Sequence, residues 1–187
     1  EILFQSGYQI QGSDLNKSNN TNRLENLGVK IYIGQKKSNI VNAKIIVVST
    51  AISETNEEYV AAKKMFLPIV HRSEMLGELM RLKQSIAIAG THGKTTTTSL
   101  IAKMIEENGM DPTIINGGII SSIDSNARLG NGEWMVVEAD ESDGSFNKLP
   151  ATVAIVTNID KEHLDYYSSF LNLKRAFERF ISSVPFY

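Results

Sequence analysis

Along most of this chain, stretches of alternating apolar and polar residues give way to helical spacing and then return. Residues 8–12 alternate ahead of Ser13-Asp14, and residues 21–27 read as a short helix closed by Gly28, a residue suited to a left-handed cap. Residues 30–33 and 45–48 are the next strand candidates. Residues 57–65 form a helical stretch that ends before Pro68, and Ile69-Val70 offers one more short strand. Ser73 with Glu74 caps an amphipathic helix running to Leu82 through Met75, Leu76, Leu79 and Met80, after which Lys83-Gln84 reads as a linker.

The rhythm then restarts. Residues 86–89 predict a buried strand, a glycine loop follows, and residues 95–108 form a helix that Gly109 stops. Residues 113–115, 134–139 and 153–156 are further strand candidates, and residues 171–181 form a helix with Leu173, Ala176, Phe177 and Phe180 on one face. No internal repeat or low-complexity tract interrupts the pattern. The alternation predicts an α/β architecture with largely parallel sheets, whose ligands bind outside the carboxyl ends of strands. A boundary near residues 83–85 divides the chain into domains 1–84 and 85–187.

Composition narrows the function classes. With 19 Lys+Arg against 21 Asp+Glu in 187 residues, the chain has no bulk charge to recommend a nucleic-acid or membrane surface. The absence of cysteine removes disulfides, thiol nucleophiles and Cys-based metal sites, and is compatible with a reducing cytoplasm. The longest apolar runs are strand-sized and no signal-peptide pattern opens the chain, so a soluble cytoplasmic protein without membrane insertion is expected. The chain begins at Glu1 in what reads as the end of an amphipathic segment and stops at Tyr187 just after a helical pattern. Both ends are therefore expected to be cut and both domains incomplete.

The chemistry concentrates in three places. Gly90-Thr91-His92-Gly93-Lys94-Thr95 lies between an apolar strand and a helix, where backbone N–H groups and a helix N-terminus can enclose a phosphate. The glycines permit close approach, Lys94 supplies a positive charge for β/γ oxygens, and the Thr95 hydroxyl can ligate Mg²⁺. Ile88 stands where the full Walker A pattern would have its first Gly, so the loop is shorter than usual. Four successive threonines, 95–98, open the helix although better helix formers exist, a local departure expected where function intervenes.

An apolar strand ends in Glu138-Ala-Asp140-Glu141-Ser142-Asp143, four carboxylates in six residues. Such density calls for bound cations or for side chains fanned into water. Glu138, still within the apolar run, is the candidate Mg²⁺ ligand; for the other three acids a solvated loop serves equally well. Of the three histidines, His71 reads as structural, and His92 sits in the phosphate loop where its backbone counts for more than its ring. His163 follows the polar strand end Thr157-Asn158 and can ligate a second metal or orient a phosphate.

Taken together, Gly90-Thr-His-Gly-Lys-Thr-Thr-Thr-Thr98, Asn116-Gly-Gly118, Glu138-Ala-Asp-Glu-Ser-Asp143, and Thr157-Asn158 with His163-Leu-Asp165 closely resemble the Mur ligase family. The resemblance runs through nearly all of the chain, including Gly12-Ser13-Asp14 and residues 48–52. It implies a Rossmann-like N-terminal domain for a UDP-sugar followed by a P-loop-type parallel-sheet ATPase domain. A glycine-rich loop ahead of Glu1 and a third, C-terminal domain would be missing here. The implied reaction is ATP-dependent ligation of L-alanine to UDP-N-acetylmuramate through an acyl phosphate, in peptidoglycan precursor synthesis. Such chemistry needs positioning and charge neutralisation more than a protein nucleophile.

By resemblance, residues Gly90, Thr91, His92, Gly93, Lys94, Thr95 and Thr96 hold ATP, and Lys94 steadies the transferring phosphoryl group. Thr95 and Glu138 hold one Mg²⁺ and His163 helps with a second. Asn116, Asp140, Glu141 and Ser142 face the muramoyl moiety, while Ser13, Asp14 and Ser49 contact the uridine side. Three alternatives stay open: a ligase of the same superfamily that joins a preformed murein tripeptide, a non-catalytic nucleotide-binding fragment, and a generic P-loop switch. The last is disfavoured because the acidic strand end is not a usual Walker B ending.

Overall fold

The structure is a computed structural model that describes residues 1–120 and 125–186, so Tyr187 of the expected cut end lies outside the described residues. The chain folds as two compact units, Glu1–Met75 and Leu76–Tyr187.

In chain order the first unit holds α1 (Ile2–Gln5), β1 (Gln11–Asp14), α2 (Asn19–Asn26), β2 (Lys30–Ile33), β3 (Ile46–Val48), α3 (Glu57–Lys64), β4 (Ile69–His71) and the start of α4 (Arg72–Met80). β1 pairs with β2 and β3 with β4, both parallel. Gly28, at φ 96°, closes α2 as its position after the helical stretch predicts. Ser18 caps α2 through a reciprocal capping box with Thr21, and Asn56 caps α3 by accepting from Glu58 and Tyr59. The Glu58 carboxylate ties the unit together, accepting from the Ser13 hydroxyl at 2.6 Å and from Asn39 Nδ2 at 2.7 Å.

The second unit holds the rest of α4, then β5 (Gln84–Ala89), α5 (Lys94–Glu107), β6 (Thr113–Ile120), β7 (Ser125–Arg128), β8 (Trp134–Glu138), β9 (Val153–Val156), α6 (Leu164–Tyr167) and α7 (Phe170–Ser182). Its five strands form one sheet in the order β7-β6-β8-β5-β9, parallel except for β7. β5 is apolar from Ile86 to Ala89 and β8 from Trp134 to Val137, because both sheet faces are covered there. Ile88 and Val136 point to one face, where α5 lays Ala102 and Ile101, whereas Ala87, Ala89, Met135 and Val137 point to the other. That second face carries Phe146, Leu173, Ala176, Phe177 and Phe180, all buried; the Phe146 ring lies 5.1 Å from each of Phe177 and Phe180. The four α7 residues predicted to share a face are thus the ones that build the core.

Several elements differ from expectation: the strand expected at residues 8–12 lies at Gln11–Asp14, and the short helix α6 has no counterpart among the expected elements. Lys83-Gln84 is not a linker: Gln84 begins β5 opposite Trp134, and Lys83 Nζ donates to the carbonyls of Gly130 and Gly132 at 2.7 and 2.6 Å. The strand at 113–115 extends to Ile120, but Asn116 and Gly117 fall where its pairing with β7 shifts register, between the paired Ile115 and Ile120. β7, of sequence Ser-Asn-Ala-Arg, has no apolar alternation to announce it and is specified by antiparallel pairing with β6. No helix among the described residues is long and apolar enough to cross a membrane.

Candidate functional site: a phosphate loop with an acidic rim

β5 lies between β8 and β9, while the chain leaving it returns through α5 to β6 on the far side of β8. The carboxyl end of β5 is therefore a crossover point, the place where open α/β sheets bind ligands. Gly90 leaves the strand at φ 134°, and Gly93 caps α5 in the left-handed region at φ 81° with no side chain covering the first turn. A helix N-terminus left free in this way is a ready anion site.

The loop is strapped from the β9 side. Thr91 N donates to Asn158 O at 3.0 Å and Thr91 Oγ1 accepts from Asp160 N at 2.8 Å. His92 N donates to Asn158 Oδ1 at 3.0 Å, while its carbonyl accepts from Thr157 Oγ1 and Asn158 Nδ2 at 2.7 and 2.9 Å. His92 contributes its backbone, as its position in the loop suggests; its ring stays exposed, 3.9 Å from Asp160. A Cβ on Gly90 would stand 2.1 Å from Thr157 Oγ1, so the close approach of the strap requires glycine. The sequence marks Thr157 and Asn158 as a polar strand end and as part of the family resemblance, but no spacing rule announces that they clamp a loop more than sixty residues away.

Lys94 Nζ donates to Gly90 O at 2.6 Å and to Glu141 Oε1 at 2.9 Å, with a longer contact to Thr91 O at 3.4 Å. Thr95 Oγ1 donates to Glu138 Oε2 at 2.8 Å, and the same oxygen accepts from Gly117 N at 3.0 Å. A Cβ on Gly117 would lie 2.5 Å from Glu138 Oε1. Asn116 is buried and donates to Ser99 Oγ at 3.1 Å and Thr95 O at 3.4 Å, bracing the first turns of α5. Thr96 is exposed beside them.

The acidic rim does not fan uniformly into water. Asp140 is exposed and accepts from Ser142 N, whereas Glu141 is 1% exposed, with Oε2 free of any partner. Its main chain is pinned as well, since Tyr167 OH donates to Glu141 O at 2.5 Å. Burial, reinforced by the neighbouring Tyr166 and the acids of this loop, pushes the Tyr167 phenol well above its ordinary pKa. His163 adopts φ 54° at the start of α6 and brings Nε2 to 3.6 Å from Glu141 Oε1.

The structure thus gathers Gly90, Thr91, His92, Gly93, Lys94, Thr95, Asn116, Glu138, Glu141 and His163 around one strand-end crevice. Ser13, Asp14 and Ser49 belong to the other unit, at the carboxyl ends of β1 and β3. There the Ser13 hydroxyl is taken by Glu58, and the Asp14 carbonyl accepts from Gly34 N at 2.7 Å.

The donor set suits Mg²⁺ and a polyphosphate. Thr95 and Glu138 bring a hydroxyl and a carboxylate oxygen together, and the described residues hold no cluster of three acids or histidines that would cage a metal by themselves. A cation held by two oxygens and completed by water and phosphate is the usual Mg²⁺ arrangement.

Residues 1–84 match the family described as "Mur ligase family, catalytic domain", and residues 88–187 match "Mur ligase middle domain". The chain belongs to the Mur ligase family. It is 62% identical over 187 residues to the UDP-N-acetylmuramate--L-alanine ligase of Parvibaculum lavamentivorans, matching all of this chain and 38% of that protein. The enzyme of the same name from Dinoroseobacter shibae is 59% identical, with 100% and 40% covered. Among solved structures, UDP-N-acetylmuramate-alanine ligase from Thermotoga maritima superposes with a TM-score of 0.90 at 30% identity, over 97% of this chain and 43% of that one. The UDP-N-acetylmuramate:L-alanyl-gamma-D-glutamyl-meso-diaminopimelate ligase from Neisseria meningitides gives 0.89 at 24% identity, over 98% and 63%, a likeness of fold. The chain spans about two-fifths of the length of the curated relatives it matches.

Proposed function

We propose that this Mur ligase chain carries the Mg·ATP site of an enzyme that ligates L-alanine to UDP-N-acetylmuramate in the cytoplasm, for peptidoglycan precursor synthesis. The observation that carries the nucleotide part is the convergence of Lys94, Thr95 and Glu138 at the end of β5, under an uncapped helix N-terminus. The choice of amine and sugar rests on relatives named for that reaction at 56–62% identity over the whole chain.

In this reading the N–H groups of the loop and of the first turn of α5 take the phosphates, and Lys94 neutralises charge on the transferring group. Bound Mg²⁺ would neutralise β/γ oxygens and fix their orientation. Thr95 and Glu138 would hold it, Gly117 N orients Glu138, and Asn116 braces the Thr95 turn. His163, on its own loop, would help hold a second cation. The lactyl carboxylate of the sugar takes the γ-phosphoryl group of ATP, releasing ADP, and the alanine amine then displaces phosphate from the acyl phosphate. Exposed Asp140 and half-buried Ser142 on the rim would meet the muramoyl group, and Asp14 and Ser49 the uridine side.

A chimaera in which this chain replaces its counterpart in the Parvibaculum lavamentivorans enzyme tests the assignment. Phosphate release that needs ATP, UDP-N-acetylmuramate and L-alanine together is expected. Release that needs a preformed tripeptide in place of L-alanine would assign the chain to the peptide-joining branch instead.

A further inference from the structure

We propose that Glu141 neutralises Lys94 and thereby makes nucleotide binding at this loop depend on the cation, rejecting metal-free polyphosphate and admitting its Mg²⁺ complex. The inference rests on the reading of the loop as a nucleotide site and assigns Glu141 a specificity-determining role exerted through Lys94, in place of contact with a sugar.

Glu141 is closed off from water at 1% exposure, yet it keeps one carboxylate oxygen without any partner. Burying a carboxylate costs desolvation energy that one ion pair does not reliably return, and packing alone would be served by an uncharged side chain. What the carboxylate does is electrostatic. It cancels the charge of Lys94, the one cation inside the loop, at 2.9 Å. All three ammonium protons already face acceptors, Gly90 O, Glu141 Oε1 and, more loosely, Thr91 O. Glu138, one strand end away, adds a second negative charge directed at the same crevice.

A free triphosphate entering this crevice meets two carboxylates and a lysine that is already paired. Because Glu141 is itself shut off from water, its repulsion is screened less than that of a carboxylate on an open surface. The Mg²⁺ complex carries two fewer negative charges and offers Glu138 and Thr95 a ligand, so it escapes most of the penalty. Replacing Glu141 by glutamine keeps the shape and an acceptor for Lys94 but removes the charge, which must favour the more highly charged ligand.

The test is titration of ATP into this chain and its Glu141→Gln variant, with excess Mg²⁺ and with EDTA, beside Glu178→Gln, an exposed α7 control with the same change in net charge. The wild type is expected to prefer Mg·ATP by about thirtyfold or more. Glu141→Gln should gain about tenfold for metal-free ATP while Mg·ATP shifts by no more than about threefold, and Glu178→Gln should match the wild type. An unchanged ratio in Glu141→Gln overturns the proposal, as does a wild type that binds both forms within about threefold, a result needing no variant. If the wild type binds neither form, the nucleotide reading itself fails and this inference falls with it.

Discussion

The Thr95 hydroxyl donates to Glu138 Oε2 at 2.8 Å, joining the first turn of α5 to the last residue of β8 across two separate strand ends. Both oxygens face a site whose third support, Gly117 N, holds the same carboxylate oxygen. Thr95→Ala removes one proposed cation ligand and leaves the sheet untouched. It is expected to weaken Mg·ATP binding about tenfold or more, with a melting temperature close to wild type, both read on one preparation by calorimetry.

Gly117→Ala probes the same carboxylate from the other side. Its Cβ would fall 2.5 Å from Glu138 Oε1, and the neighbour that must move is the end of a side chain. Nucleotide affinity measured with Mg²⁺ should therefore drop much more than stability, and a variant that melts early but binds normally would contradict this geometry.

At Gly90 the neighbours cannot yield. An added Cβ would meet Thr157 Oγ1 at 2.1 Å and the Asn158 carbonyl at 2.9 Å, on a backbone at φ 134°. Gly90→Ala is expected to cost about 2–4 kcal/mol and to release the strap from the loop. Chemical denaturation, with amide exchange at Thr91 and His92, would show both effects.

Much of the second unit was legible in the sequence because its signals are local and strong. The α7 stripe of Leu173, Ala176, Phe177 and Phe180, the apolar β5 and the glycine stops each follow from spacing along one element. β7 was not legible, since a polar edge strand takes its identity from its partner. The position of Glu141 was hidden for a related reason. In sequence it is one acid among four, and only tertiary contacts, Tyr167 on its carbonyl and Lys94 on its carboxylate, set it apart as buried while its neighbour Asp140 stays exposed.

Tyr167 supplies a pH dependence of stability. Its phenol is neutral and raised in the folded protein, whereas in the unfolded chain it ionises near the ordinary value of about 10. The folded state therefore holds the proton more tightly, so this contribution is complete below about pH 10 and is lost as pH rises above it. Tyr167→Phe should flatten the fall in melting temperature between about pH 9 and 11, and should cost about 1–3 kcal/mol at neutral pH because Glu141 O loses its donor.

The central claim is that these strand-end loops form a phosphate site dependent on Lys94, and calorimetric titration of Mg·ATP into this chain beside Lys94→Ala tests it most directly. The variant leaves Glu141 buried without its cation, at a cost of about 3–5 kcal/mol, so its fold is verified by circular dichroism at the titration temperature. Saturable binding by the wild type that disappears in folded Lys94→Ala is the result expected. Equal binding by both proteins, or none by the wild type, would contradict the account.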